Sequence, residues 1–153
     1  MAILKDQYVK TGSGVSPIDF TPDEVEVEAL IPEKNFGHLD FIPANKKAVE
    51  CNECITVILE DGETFRCTPD TKIIESIKNG VISYLDIESY NQKKRSYVLG
   101  VDPLTGEKTH YRVYSIERNG ILFSDTFYKL NFVYKDLFVG VKFKNSDKTI
   151  FVK

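Results

Sequence analysis

The sequence predicts an all-β domain. Val, Ile, Tyr and Phe are abundant, and 12% of the 153 residues are aromatic, a composition that suits pleated sheets. Short β-prone runs recur between turn signals about every 8 to 12 residues, and no stretch shows the period of a convincing amphipathic helix. The length and the 42% hydrophobic fraction predict one domain over residues 1–153, with a substantial core.

The clearest element is a hairpin followed by a sharp turn, in residues 55–74. Asp61-Gly62 lies between two β-prone runs, which is a strong hairpin signal. The return strand Thr64–Cys67 leads into Thr68-Pro69-Asp70-Thr71, where the proline forces a change of direction. On local pattern alone this is an ordinary turn. It also sets two hydroxyls and a carboxylate at the end of a buried strand, which suits a chemical site.

The residues before this hairpin predict further strands. A short strand is expected over residues 8–10, ended by the glycines that follow. Residues 23–28 alternate acidic residues with valine, which predicts a half-buried strand with an acidic face in water. Residues 21–24 could instead cap a short helix. Residues 34–54 predict short strands separated by turns at Asn35-Phe36-Gly37 and Pro43-Ala44-Asn45.

The residues after the hairpin are also β-prone. Asn79-Gly80 predicts a second tight hairpin, and residues 84–90 are expected to form a helical turn. Strands are expected at 97–101 and 111–116, on either side of a turn at 102–106, and residues 121–152 are almost all β-prone or aromatic.

Charge is distributed unevenly along the chain. The first 90 residues carry 8 Lys and Arg against 17 Asp and Glu, whereas the rest carry 12 against 6. This predicts two solvated faces that attract each other within the fold, and it would also suit two half-chains that must associate. The acidic first part argues against nucleic-acid binding, and the basic part lacks the basic–aromatic pattern of such proteins. No apolar run spans a membrane and no secretory signal is present, so a cytoplasmic location is expected.

The three cysteines do not form a disulfide framework, because their number is odd. Cys51 and Cys54 form a C-x-x-C pattern, but the second pair needed for a zinc ribbon is missing. We therefore expect no metal and no cofactor, with one of these cysteines facing inward and the other outward along a strand.

Two segments resemble conserved motifs of inteins and of the related Hedgehog-type Hint domains. The stretch LEDGETFRCTPDTKII is similar to the second motif, in which a hairpin leads into Thr-x-x-His. Thr68 and Asp70 match it, whereas Thr71 stands at the histidine position. The chain start is similar to the first motif, with Ala2 in the slot of the nucleophilic Cys or Ser. The matching positions of that first motif are Asp6, Val9 and Thr11.

Spacing and a third segment support the resemblance. Ala2 and Thr68 are 66 positions apart, about the separation in a compact intein. The sequence from Asp136 and the strand at Thr149–Val152 resemble the penultimate intein motif. The resemblance implies a horseshoe-like Hint fold without an endonuclease insert, possessing autocatalytic protein-splicing activity. The implied partners are flanking extein segments or a complementary intein fragment, as in split inteins.

The residues at the expected site depart from the family pattern. Splicing begins when the first side chain attacks the preceding carbonyl, and alanine at position 2 has no nucleophile. Thr71 can donate a hydrogen bond but cannot act as a general acid or base near neutral pH. The family's terminal asparagine, expected several residues beyond Val152, is not in the sequence. As written, the chain is not expected to splice by the standard route.

Several alternatives stay open at this point. Either the nucleophile has been replaced and the end trimmed or supplied by another piece, or a Hint-like domain has lost the chemistry. The rival function is a non-catalytic β-rich interaction module or a phage-type structural module. His110 could supply the missing imidazole from a neighbouring strand, although a surface histidine is the commoner meaning. Lys5 and Lys72 lie within the motifs and could stabilise an oxyanion, but lysines there are more often solvated.

Overall fold

A computed structural model describes residues 1–85, 87, 96–133 and 137–153, without the side chains of 121–123. A 3-10 turn at Ile18–Phe20 is the helical element of this part of the chain. Strands make up most of the rest, which confirms the all-β prediction. They are β1 (Ile3–Leu4), β2 (Tyr8–Thr11), β3 (Gly14–Pro17), β4 (Glu24–Pro32), β5 (Gly37–Leu59), β6 (Thr64–Cys67), β7 (Ile73–Lys78), β8 (Val81–Leu85), β9 (Ser96–Val101), β10 (Lys108–Phe132), β11 (Phe138–Lys142) and β12 (Thr149–Val152).

These strands pair into one antiparallel sheet whose order differs from the chain order. Within the described residues the order is β3-β2-β11-β4-β5-β6-β1-β10-β9-β12-β7-β8. Additional pairings of β5 with β10 and of β11 with β12 connect strands that the order separates. Strands from the start and the end of the chain therefore become neighbours, for example β2 and β11.

The two predicted tight hairpins are confirmed. β5 pairs with β6 across the Asp61-Gly62 turn, where Gly62 has a positive φ of 90°. β7 pairs with β8 across Asn79-Gly80, whose φ values of 52 and 78 are both positive, as a type I′ turn requires. Both turns were predictable because the conformation depends on residues that tolerate positive φ.

The turn predicted at Asn35-Phe36-Gly37 connects β4 to β5, but the prediction of short strands over residues 34–54 is wrong. β5 is a single strand of 23 residues, and Pro43 lies inside it rather than in a turn. β5 pairs with β4 through its first part and with β10 through the rest, changing partner around Ala44, which pairs with both. The Pro43 carbonyl still accepts a hydrogen bond, from the Val133 N–H at 3.2 Å. The turn-like residues Pro43-Ala44-Asn45 therefore lie where β5 changes its pairing partner from β4 to β10.

Two other expectations need correction. Residues 21–24 do not cap a helix, because the Thr21 hydroxyl donates to the Ile18 carbonyl and Glu24 begins β4. Glu24 and Glu26 are exposed, as predicted, but Glu28 is buried, next to the residues of β4 that pair with β11. Tyr84 belongs to strand β8 rather than to a helical turn.

Parts of two predictions lie outside the described residues. The helical turn expected over 84–90 includes residues 86 and 88–90, and the penultimate motif begins at Asp136; none of these positions is described.

Ion pairs link the acidic first part of the chain to the basic second part. They join Arg112 to Glu60, Arg118 to Glu53, Lys142 to Glu28 and Lys148 to Asp61. The lopsided charge distribution therefore acts within the fold, as predicted. The described residues contain no helix with the length and hydropathy of a membrane span.

The core fixes the beginning of the chain. Ile3 in β1 is fully buried and lies between Cys67 of β6 and Tyr128 of β10. Ile3 and Cys67 belong to the main hydrophobic core, together with Phe65. Because the Ile3–Cys67 pair is locked in place, the residues on either side of it, Ala2 and Thr68, must also be neighbours.

Candidate active site

The end of β6 and the start of β1 form the candidate site. The Ala2 N–H donates to the Thr68 Oγ1 at 3.0 Å, and the Thr68 N–H donates to the Ala2 carbonyl at 2.9 Å. Ala2 is 3% exposed and Thr68 is 6% exposed, so both hydrogen bonds are shielded from water. The nitrogen that Thr68 contacts belongs to the Met1–Ala2 peptide bond.

The carboxylate of Asp70 organises the Thr68 hydroxyl. The Thr68 Oγ1 donates to Asp70 Oδ1 at 2.5 Å, while Asp70 Oδ2 lies 3.1 Å from the Met1 nitrogen. A hydroxyl has a single proton, so this short contact leaves its lone pairs for the Ala2 N–H. Burial alone would raise the pKa of Asp70, but the hydrogen bonds from Thr68 and the Met1 ammonium outweigh it and lower that pKa. The carboxylate is therefore ionised and acts as an acceptor at neutral pH.

Thr71 fills the position that the resemblance assigns to histidine. Its Oγ1 lies 3.3 Å from the Thr68 Oγ1 and 3.5 Å from the Ala2 carbonyl oxygen. Thr71 is 3% exposed, so these contacts are shielded from water. Ala2, Thr68, Asp70 and Thr71 are thus brought together by the fold.

His110 is not brought to this group. It is exposed on β10, opposite Leu99 of β9, and lines a separate hollow with Tyr97 and Arg112. Burial and the nearby charge of Lys108 lower its pKa. The strand register therefore makes His110 a surface residue, and it does not replace the missing imidazole in this structure.

The side chains of the two motif lysines, Lys5 and Lys72, contact residues outside the candidate site. The Lys5 Nζ pairs with Asp125 at 3.2 Å, and the Lys72 Nζ lies 5.5 Å from the centroid of the Tyr84 ring. The backbone of Lys72 exchanges two hydrogen bonds with the backbone of Lys153, at 2.8 and 2.9 Å. Residues 68–72 therefore hold both Ala2 and Lys153.

Sequence reasoning overlooked the cysteines and Met1 as neighbours of the site. Cys54 packs against Ala2 and Phe127, with Cys51 beside them, and Cys67 directly precedes Thr68. The alternation of β6, in which Phe65 and Cys67 are buried, was a signal that could have placed Cys67 inside. No local pattern pointed to Met1 or to the Lys72–Lys153 pair, because both depend on distant strands.

The thiols differ in exposure, which predicts their reactivity. All three cysteines are free; Cys51 is partly exposed, whereas Cys54 and Cys67 are buried. Burial raises the pKa of Cys54 and raises that of Cys67 to about 12, so the reactive thiolate is scarce at both.

A chromogenic disulfide reagent at pH 8 is expected to titrate one thiol in the native protein and three in denaturant. Cys51→Ser should abolish the fast native phase, and a fast phase that survives this substitution would contradict the assignment.

Comparison with known proteins identifies the fold. No family model and no curated protein matches the sequence. The structure of the TvoVMA intein matches with a TM-score of 0.73 at 12% identity, covering 97% of this chain and 96% of that chain. A splice-inactive variant of the AceL NrdHF class 3 split intein matches with a TM-score of 0.74 at 17% identity, over 98% and 96%. An intein-like domain from Clostridium thermocellum matches with a TM-score of 0.68 at 12% identity, over 98% and 97%.

The chain therefore has the Hint fold of inteins. The likeness extends over nearly the whole of both chains in each comparison, as expected for a Hint domain without an endonuclease insert. The fold predicted by the resemblance in sequence is confirmed, and the catalytic roles of the site residues stay predictions.

Proposed function

We propose that residues 1–153 form one protein-splicing (intein) domain in which alanine at position 2 blocks the first step. The observation that carries this proposal is the hydrogen bond from the Ala2 N–H to the Thr68 hydroxyl. It places the hydroxyl oxygen against the nitrogen of the Met1–Ala2 peptide bond. The Hint fold and the partly buried Thr68–Asp70 hydrogen bond support it. The proposed partners are flanking extein segments or a complementary intein fragment, in a cytoplasmic setting.

The first splicing step needs a nucleophilic atom that the side chain of Ala2 lacks. A thiol on the Cβ of residue 2 could attack the Met1 carbonyl carbon through a five-membered ring, forming a carbon–sulfur bond while the carbon–nitrogen bond breaks. The thiol proton would end on the nitrogen of residue 2, which becomes a free amine. The Thr68 Oγ1 is 3.0 Å from that nitrogen and can hold its hydrogen as the amide becomes an amine.

Thr71 takes part differently from a histidine. Its hydroxyl contacts both the Thr68 hydroxyl and the Ala2 carbonyl, so it can hold the turn and the first residues together. It cannot carry a proton as an imidazole does near neutral pH. The proposal therefore assigns Thr68 and Asp70 to the reacting amide, and Thr71 to positioning Thr68.

Restoring the nucleophile tests the proposal. With a short peptide placed before Met1, Ala2→Cys is expected to release that peptide in the presence of a strong thiol reagent. The thioester forms reversibly within one molecule, where proximity replaces a bimolecular encounter, and the reagent then traps it. Gel analysis and the mass of the released peptide measure the reaction. The matched control is the parent protein with the same peptide, because it keeps Cys51, Cys54 and Cys67 and should not cleave.

The outcome that contradicts the proposal is equally specific. Circular dichroism establishes whether the Ala2→Cys protein is folded, since residue 2 is buried. If the folded variant shows no thiol-dependent cleavage, the splicing function fails and the chain is better explained as a non-catalytic interaction or phage-type structural module. In an active variant, Thr71→His should leave the rate similar or raise it.

A further inference from the structure

Strand β1, with two residues, is too short to cover the whole edge of the four-residue strand β6. Among the described residues, the register of β1 with β6 consists of the Ile3–Cys67 pair. The chain turns away directly after β1, where the Leu4 carbonyl accepts the Gln7 N–H at 2.9 Å. An N–H group of β6 that faces β1 beyond this pair therefore needs an acceptor from outside the strand.

The side chain of Gln7 supplies this acceptor. Its Oε1 accepts the Arg66 N–H at 3.0 Å, in a partly buried position. Arg66 lies two residues before Thr68, and N–H groups two residues apart along a strand point to the same side. On that side the Thr68 N–H donates to the Ala2 carbonyl, at 2.9 Å. The Gln7 side chain therefore extends the row of acceptors that Ala2 begins.

Asp6 determines which end of the Gln7 amide faces β6. The Gln7 Nε2 donates to Asp6 Oδ1 at 2.9 Å, while the Oε1 accepts from Arg66. A side-chain amide has one accepting end and one donating end. Turned around, it would set its NH₂ group against the Arg66 N–H and its oxygen against the carboxylate. Asp6, which matches the first intein motif, therefore orients Gln7.

The backbone of Gln7 is held on both sides. Its N–H donates to the Leu4 carbonyl, and its own carbonyl accepts the Ile18 N–H at 2.8 Å. Ile18 is fully buried, and Tyr8, the residue after Gln7, begins β2. Because these contacts fix the backbone, ordering the side chain against Arg66 costs only its rotamer freedom. An anchored residue thus joins the end of β6 to the turn that follows β1.

We infer that Gln7 is a positioning residue for the proposed reaction, because its amide holds the end of β6 where the Thr68 hydroxyl meets the nitrogen of residue 2. The inference rests on the proposed splicing function and deepens it, since it adds a group that acts through Thr68. The link is short, because Arg66 and Thr68 are separated by one residue, the buried Cys67. Asp6 acts one step further away, by orienting the Gln7 amide.

Amide hydrogen exchange, followed by NMR with Ala2 retained, tests the link from Gln7 to Thr68. Gln7→Met keeps an unbranched side chain of similar length but removes the acceptor, so the Arg66 and Thr68 N–H groups should exchange about tenfold faster. The double substitution Asp6→Asn with Gln7→Glu interchanges the amide and the carboxylate and conserves the charge. It gives the Arg66 N–H a carboxylate acceptor and should restore exchange to within about threefold of the parent rate.

A matched control loses a comparable hydrogen bond elsewhere. The Tyr111 hydroxyl donates to the Val101 carbonyl at 2.6 Å, also from a side chain to the backbone and also partly buried. Tyr111→Phe should leave exchange at Arg66 and Thr68 within about twofold of the parent rate, because Tyr111 shares no partner with Gln7. If Gln7→Met and Tyr111→Phe accelerate exchange equally, a general loss of stability explains both and the positioning role is overturned.

The same substitutions are then made in the Ala2→Cys protein that carries a short preceding peptide. Gln7→Met should slow thiol-dependent release of the peptide by about tenfold, because Thr68 is held less firmly against the reacting amide. The double substitution at positions 6 and 7 should recover most of that rate. Tyr111→Phe should change the rate by less than about twofold.

The two measurements separate the positioning role from the splicing function. If no variant cleaves but the exchange rates follow the expected order, the hold of Gln7 on Thr68 stands and the splicing function fails. If every variant cleaves at one rate, the positioning role is overturned and the function stands. Unchanged exchange without cleavage overturns both.

Discussion

In the protein with cysteine at position 2, Thr68→Val is expected to slow thiol-dependent release of the preceding peptide by about a hundredfold. Valine keeps the shape of threonine and the backbone N–H that contacts the Ala2 carbonyl. It removes the oxygen that lies 3.0 Å from the nitrogen of the reacting bond. Because Thr68 is buried, bulk water has little access to the place of that oxygen. The rate of peptide release, measured on gels, is the readout.

A matched variant separates chemistry from turn structure. Thr68→Ser retains the hydroxyl and should cleave within about fivefold of the threonine protein, since the polarising group is kept. Asp70→Asn should give an intermediate rate, because a neutral amide holds the Thr68 hydroxyl less strongly than a carboxylate. Equal rates for Thr68→Val and Thr68→Ser in folded proteins would assign Thr68 to the turn alone.

The second large effect concerns a buried ion pair away from the site. The Lys142 Nζ lies 3.0 Å from Glu28 Oε1, and the two side chains are only 12% and 9% exposed. Lys142 also donates to the Thr149 hydroxyl at 2.6 Å, joining β4, β11 and β12. Lys142→Met is expected to destabilise the fold by about 3 kcal/mol, because a carboxylate is left buried and poorly paired. Denaturant unfolding measures this change.

Two controls make that result specific. Lys10 approaches Glu28 at 3.9 Å but is 44% exposed, so Lys10→Met should cost less than about 1 kcal/mol. Combining Glu28→Met with Lys142→Met should recover most of the loss, because two apolar side chains of similar volume replace the pair. If Lys142→Met and Lys10→Met have the same small effect, the pair is effectively solvated and the argument from burial is wrong.

The sequence predicted those elements whose conformation depends on neighbouring residues. The hairpins at Asp61-Gly62 and Asn79-Gly80 follow from residues that accept positive φ, and they are present. The turn after β6 follows from Pro69, whose ring fixes φ at a negative value. The all-β class follows from composition and from the absence of a helical period.

Other features depended on contacts that no local pattern contains. Pro43 lies within β5 because that strand exchanges β4 for β10 as a partner, which only the assembled sheet determines. Glu28 is buried although Glu24 and Glu26 are not, because β11 pairs with β4 beside it and brings Lys142 to its carboxylate. The placement of His110 on an exposed part of β10 depends on register with β9, which was not predictable from its neighbours in sequence.

The candidate site was predictable only through the resemblance to inteins. Local reasoning alone favoured an ordinary turn at residues 68–71, and nothing in the sequence near Ala2 indicated a partner 66 positions away. The two motifs supplied that long-range contact. They did not place Met1 beside Leu130 and Leu137, because those residues come from the last part of the chain.

The attachment of Ala2 and Lys153 to one five-residue segment also determines how the molecule responds to tension. Thr68 exchanges backbone and side-chain hydrogen bonds with Ala2, and Lys72 exchanges backbone hydrogen bonds with Lys153. A pulling force applied through Met1 and Lys153 would therefore reach residues 68–72 from both ends of the chain. Large folded bodies tethered on both sides would load the hydrogen bonds around the Met1–Ala2 peptide before they loaded the rest of the sheet. Short, slack tethers would leave those bonds undisturbed.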